Sequence, residues 1–105
     1  MTDIQKQDRR DELVARLNAL ASRKEALRAA LEANLTAMKT ISHKLSLLWT
    51  PTHDNGLSTA SQVPELVLIQ EELRAQEVQL TADYHHARSQ CMEVELLLNQ
   101  LDRHN

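Results

Sequence analysis

The chain has 105 residues, 42% apolar and 26% charged, with a formal net charge of −3; that allows one small domain and argues against general nucleic-acid binding. One Gly, two Pro, one Trp, one Tyr and no Phe leave too few turns for a many-stranded sheet and too few aromatics for a sandwich or barrel core. A single Cys excludes a disulfide framework and a multi-cysteine zinc site. Leu, Ala, Glu, Gln, Arg and Lys dominate, the usage of long helices and coiled coils. No apolar run reaches membrane-spanning length, and the start Met1-Thr2-Asp3-Ile4-Gln5-Lys6 does not read as a signal peptide.

The first predicted element is a helix over about residues 4–48. Alternating steps of four and three visit Leu13, Leu17, Leu20, Lys24, Leu27, Leu31, Asn34, Met38, Ile41, Leu45 and Leu48, and nine of these eleven are apolar. That is a heptad seam. Eight alanines between Ala15 and Ala37 flank it and let a partner helix approach closely. Lys24 and Asn34 are polar seam positions, read either as register-setting or as local tolerance. The charged start, from Asp3 to Glu12, overhangs the seam by about a dozen residues and reads as a frayed, solvated end or a docking handle.

A loop follows over about 49–63. Both prolines and the only glycine fall between Trp49 and Pro64. Asp54-Asn55-Gly56 is a turn signal, and Pro51 biases Thr50 away from helix. Trp49 either plugs the closed end of a hairpin or anchors an interface. Thr59 or Ser61 is positioned to cap the next helix, with Pro64 in its first turn.

The second helix is expected over about 64–102. Its stripe reads Leu66, Ile69, Leu73, Glu77, Leu80, Tyr84, Ala87, Cys91, Val94, Leu98 and Leu101, ten of eleven apolar. Two successive steps of four around Glu77 predict a stutter that unwinds the supercoil locally. The stripes 13–48 and 66–101 each span 36 residues. Folding back antiparallel sets Leu13 against Leu101, Leu20 against Val94, Ile41 against Leu73 and Leu48 against Leu66, along about 50 Å. Residues 13–48 hold six Lys/Arg against two Asp/Glu, and residues 49–105 hold three against nine. A basic helix along an acidic one favours this hairpin over parallel self-pairing, although exposed pairs are each worth less than about 1 kcal/mol. The expected fold is all-α: a single antiparallel two-helix hairpin over 1–105, a coiled coil that completes a helical bundle with a partner or a second copy.

Apolar residues outside the seam carry the functional expectation. With Cys91, Val94, Leu98 and Leu101 facing the first helix, Met92 and Leu96 stand one turn apart on the outer face, with Leu97 beside them. Val67 and Leu68 form a second such group near the loop, and Val14, Leu35 and Leu47 lie outside the seam of the first helix. A helix apolar on several faces is normally covered on several faces. The partner-binding residues are therefore expected to be Met92, Leu96 and Leu97, then Val67 and Leu68.

Chemistry is not expected. His85 and His86 beside Asp83 are adjacent residues pointing about 100° apart, so they do not converge as an i, i+4 ligand pair does. Cys91 falls on the seam and reads as a small buried hydrophobe. No nucleophile triad, phosphate-cradling glycine loop or paired carboxylates appear, and two helices alone make no concave, water-excluding site. No enzyme activity, metal or cofactor is anticipated. Arg9, Arg10, Arg16, Arg23, Lys24 and Arg28 give only a mild basic streak without stacking aromatics, so nucleic acid is a minor expectation.

The stretch Ser22-Arg23-Lys24-Glu25-Ala26-Leu27-Arg28-Ala29-Ala30-Leu31-Glu32-Ala33-Asn34 resembles the first helix of the N-terminal domain of proteasome regulatory-particle assembly chaperones of the PDZ-containing non-ATPase type. Leu48-Trp49-Thr50-Pro51 and Leu80-Thr81-Ala82-Asp83-Tyr84 are similar to that family's loop entry and second helix. The resemblance implies a helical hairpin that binds a proteasomal ATPase subunit during base assembly. The chain departs from the family at the loop, where His53-Asp54-Asn55-Gly56-Leu57-Ser58 replaces a Gly-(Tyr/Phe)-Pro-Arg-(Ser/Ala)-Asp motif, and its 105 residues hold no PDZ domain.

The function expected is that of a non-catalytic interaction subunit or assembly factor, intracellular in the cytoplasm or nucleus, with another helical protein as partner. The alternative is a self-associating coiled coil forming a homodimeric four-helix bundle.

Overall fold

The computed structural model describes residues 2–48 and 62–103. Two long helices and no strands make up those residues, α1 (Asp3–Leu48) and α2 (Gln62–Arg103), paired as an all-α helical hairpin. The expectations for Trp49, Pro51, the Asp54–Gly56 turn, Thr59 and Ser61 lie outside the described residues. Contacts divide the chain into two compact units, one of Met1–Arg28 with Ala82–Asn105 and one of Ala29–Thr81. Each unit pairs a half of α1 with a half of α2.

α1 begins earlier than its apolar stripe, where Thr2 and Gln5 cap it. Thr2 Oγ1 accepts from the Gln5 backbone N–H at 3.2 Å, and Gln5 Oε1 accepts from the Thr2 backbone N–H at 3.1 Å. This reciprocal capping box satisfies two amide donors that a helix start otherwise leaves orphaned. Asp3 in the first turn adds a favourable charge at the positive end of the helix dipole. α2 likewise starts with Pro64 and Glu65 in its first turn, where the missing proline N–H removes no helical bond.

In the unit of Met1–Arg28 with Ala82–Asn105, Leu13, Ala87, Cys91 and Val94 are buried. Leu17, Leu20, Leu27, Tyr84, Leu98 and Leu101 cover the rest of the seam as half-buried residues. Val94, 1% exposed, is the largest side chain fully enclosed, and burial on that scale is worth about 1.5–3 kcal/mol. Lys24 occupies a half-buried seam position, with an aliphatic stem able to lie along the apolar neighbours while the ammonium reaches water.

In the unit of Ala29–Thr81, Ile41 and Leu45 are buried, and Leu31, Met38, Leu48, Leu66, Leu73 and Leu80 are half-buried. The α2 stripe differs from expectation at one place. Ile69 is 41% exposed, and Gln70 takes the half-buried position instead. Through Leu66, Gln70, Leu73, Glu77 and Leu80 the steps alternate four and three without interruption. The stutter predicted around Glu77 is therefore absent, since helical phase, not the apolar character of one residue, decides which side chain faces α1.

Cross-helix polar contacts fix the register. Arg10 Nη1 is bonded to Asp102 Oδ1; Asn34 Nδ2 donates to Gln76 Oε1 at 3.2 Å, and Gln70 Nε2 donates to Ser42 Oγ at 3.4 Å. The simple fold-back would set Arg10, Asn34 and Ser42 opposite His104, Leu80 and Glu72. Their bonded partners lie two to four residues earlier in α2, about half a helical turn to one turn from the residues directly opposite. An antiparallel seam interleaves its side chains rather than stacking equivalent positions, and that staggering accounts for the offset.

Asn34 is the buried polar residue of the seam, 5% exposed, and its Oδ1 has no hydrogen-bond partner. Elsewhere on α1, Thr36 and Thr40 donate their hydroxyls to the carbonyls of Glu32 and Thr36, each at 3.0 Å, which satisfies them within the helix.

Candidate interaction surface

Met92 and Leu96 are 60% and 58% exposed. They lie four residues apart, hence one above the other on α2, on the side turned away from Cys91, Val94 and Leu98. Leu97, also exposed, sits where this outer face meets the flank of the seam. All three belong to the unit of Met1–Arg28 with Ala82–Asn105. Val67 and Leu68 are exposed as well but belong to the other unit. There Leu35, Leu47, Ile69 and Val78 add further exposed apolar side chains. Val78 is 72% exposed and had no place in the sequence expectation, although its position four residues before the outward Ala82 marks it as outward too.

A shallow groove in the same unit is lined by Lys44, Leu47, Leu48, Glu65, Leu66 and Ile69. It places a lysine and a glutamate around an apolar floor, and it holds no nucleophile or convergent acid pair.

The residues weighed for chemistry stand as follows. Cys91 is a buried free cysteine, enclosed among seam side chains. Tyr84 and His85 meet edge to face, with ring centroids 5.9 Å apart; His85 and His86 are both exposed. No group of three or more His, Cys, Asp or Glu among the described residues is arranged to hold a metal ion. None of the described helices is long and apolar enough to cross a membrane.

The electrostatics are local. Arg28 donates from Nε and Nη2 to Glu25 at 3.0 and 2.6 Å, one turn away. That hydrogen bond holds the Glu25 carboxyl below its ordinary value, with the nearby charges of Arg28 and Lys24 acting in the same direction. Arg9 pairs with Glu12 at 3.2 Å. Arg10 with Asp102 joins α1 to α2.

These features define an antiparallel coiled-coil hairpin with exposed apolar residues outside its seam. Compared with protein-family models, curated proteins and solved structures, the chain has no match.

Proposed function

We propose that the chain is a non-catalytic interaction subunit, an adaptor or assembly factor of a larger complex, which binds a helical protein through the outer face of α2. The observation that supports this reading is the pair Met92 and Leu96, both more than half exposed on a helix whose opposite side is buried. Leu97 extends that surface, and Val67 and Leu68 offer a second one. An intracellular protein, cytoplasmic or nuclear, suits a single thiol kept buried and unpaired. The resemblance in Ser22–Asn34 makes a proteasomal ATPase subunit the first specific partner to try.

Magnitude constrains the reading. Full burial of a Leu or Met side chain is worth about 1.5–3 kcal/mol, so three side chains exposed to this degree offer on the order of 2–5 kcal/mol. Association costs about 4–15 kcal/mol in lost freedom. A partner must therefore contact more than these three residues.

Partner capture with Met92→Glu and Leu96→Glu combined tests the proposal. Loss of capture with unchanged helical content supports it, and undiminished capture removes it. Light scattering on the pure protein separates the homodimer reading, which requires a stable species of twice the chain mass.

A further inference from the structure

Three columns of α2 compete for its seam. Leu66, Leu73 and Leu80, continued by Ala87, Val94 and Leu101, form the middle one. At 3.5 residues per turn, a residue four later lies about 50° to one side of that column, and a residue three later about 50° to the other. The first side column is Gln70, Glu77, Tyr84, Cys91 and Leu98; the second is Ile69, Gln76, Asp83, Gln90 and Leu97. Every residue of the first is buried or half-buried, so the structure turns that column towards α1 along the whole helix.

That phase suits one compact unit and not the other. In the unit of Met1–Arg28 with Ala82–Asn105, the first column supplies Tyr84, Cys91 and Leu98, and the second would supply Asp83 and Gln90. In the unit of Ala29–Thr81 the preference reverses. There the first column brings Gln70 and Glu77 to half-buried positions, while Ile69 of the second is left 41% exposed. A continuous helix carries the phase that suits Tyr84, Cys91 and Leu98 into a stretch whose own residues oppose it. Asn34 registers the mismatch independently. Its Nδ2 reaches the exposed Gln76 of the second column at 3.2 Å, and its Oδ1 stays buried without a partner.

We propose that residues 62–80 of α2 are a two-position switch, which rolls by about 50° between the phase described above and a second one with Ile69 and Gln76 facing α1 in place of Gln70 and Glu77. Leu66, Leu73 and Leu80 stay in the seam in both positions, so the roll exchanges flanking contacts without parting the helices. The second phase buries Ile69 and returns Gln70 and Glu77 to water. It also turns Gln76 inward, where its Nε2 donates to Asn34 Oδ1 and completes a two-bond amide pair. Against it stand the loss of the 3.4 Å bond from Gln70 to Ser42 and one stutter, because the steps from Gln76 to Leu80 and from Leu80 to Tyr84 are both of four. The roll ends at Leu80, since beyond it Asp83 and Gln90 would displace Tyr84 and Cys91. Ile69 also lines the groove with Lys44, Leu47, Leu48 and Leu66. Rolling it inward removes one wall of that groove, so an apolar group bound there holds the first phase. The switch stands whether or not the outer face of α2 binds a partner.

NMR relaxation dispersion on the full chain tests it. The Ile69 methyls and the side-chain amides of Asn34, Gln70 and Gln76 are expected to exchange at one common rate on the μs–ms timescale. Gln70→Leu makes the first column apolar at that level and should abolish the exchange. Ile69→Ser removes what the second phase gains and should silence Asn34 as well, whereas simple fraying of the helix end persists in that variant. Gln70→Lys should make the second phase the major one, with nuclear Overhauser contacts from the Ile69 methyls to Ile41 and Leu45. Absence of exchange in the native chain overturns the switch, and so does exchange at Asn34 that is unchanged by Ile69→Ser. A folded Gln70→Lys chain without those Ile69 contacts overturns it too; if that variant does not fold, the native chain and the other two variants decide.

Discussion

Replacing Asn34 by leucine is expected to raise the stability of the hairpin. In the native chain Asn34 Nδ2 donates to Gln76, but Oδ1 is buried without a partner. Such an orphaned acceptor costs about 1–3 kcal/mol, whereas the hydrogen bond lost in the variant returns only about 0.5–1.5 kcal/mol. Gln76 is exposed and turns to water without penalty. Leucine adds apolar burial, offset in part by about 1–3 kcal/mol if its branches crowd the seam. The net gain is on the order of 1–2 kcal/mol, which raises the melting temperature by about 4–8 °C per kcal/mol for a chain near this size. Urea unfolding followed by far-ultraviolet circular dichroism measures it, with an unchanged slope as the check that only the native state has altered. A Gln76→Ala variant should cost about 1 kcal/mol in the native chain and close to nothing when leucine already occupies position 34. A lower midpoint for Asn34→Leu refutes the reasoning, since it means the amide contributes more than its unmet acceptor costs. The same variant bears on specificity, because a buried amide holds one register against slipped pairings at a cost in stability.

Further outcomes are expected from substitutions of matched chemistry. Val94→Ala should destabilise by about 1–3 kcal/mol, and Val78→Ala should stay within about 0.5 kcal/mol, since the first residue is enclosed and the second is 72% exposed; equal effects in thermal melts contradict the assigned helix phase. Thr2→Ala should weaken the start of α1 by about 0.5–2 kcal/mol, seen as faster amide exchange over the first turn with the rest of the helix unaffected. The Glu25 carboxyl, held below 4.5 by its hydrogen bond from Arg28, should titrate closer to 4.5 in Arg28→Ala when followed by NMR. Because its folded value is depressed, its small contribution is present above the ordinary carboxylate range and fades as pH falls through the lower folded value. Glu25→Gln should remove that part of the acid limb.

The seam of α1 was legible residue by residue. All eleven stripe positions from Leu13 to Leu48 are buried or half-buried, because no Pro or Gly interrupts the period and apolar residues mark the phase repeatedly. On α2 the reading failed only at Ile69, where adjacent Ile69 and Gln70 competed and apolar character pulled the assignment off the period. The Thr2–Gln5 cap was readable from Thr-x-x-Gln but was hidden by the charged run after it. Register was less accessible, since equal stripe lengths do not report how side chains interleave across a seam. The Asn34–Gln76 bond depends on that register, so neither partner announces the other in the sequence. The outward set of Met92, Leu96, Leu97, Val67 and Leu68 was legible as exposed surface, because the helical phase that turns the seam residues inward turns these outward.

Cys91 is the sole thiol of the sequence and lies sealed in only one of the two compact units. Its chemistry therefore keeps time for that half of the hairpin: a thiol reagent must wait for the seam around Cys91 to open. The far half carries no such clock, so unzipping that begins at the connecting end goes unrecorded until it arrives at Cys91. Labelling rates set beside amide exchange would thus tell from which end this molecule comes undone.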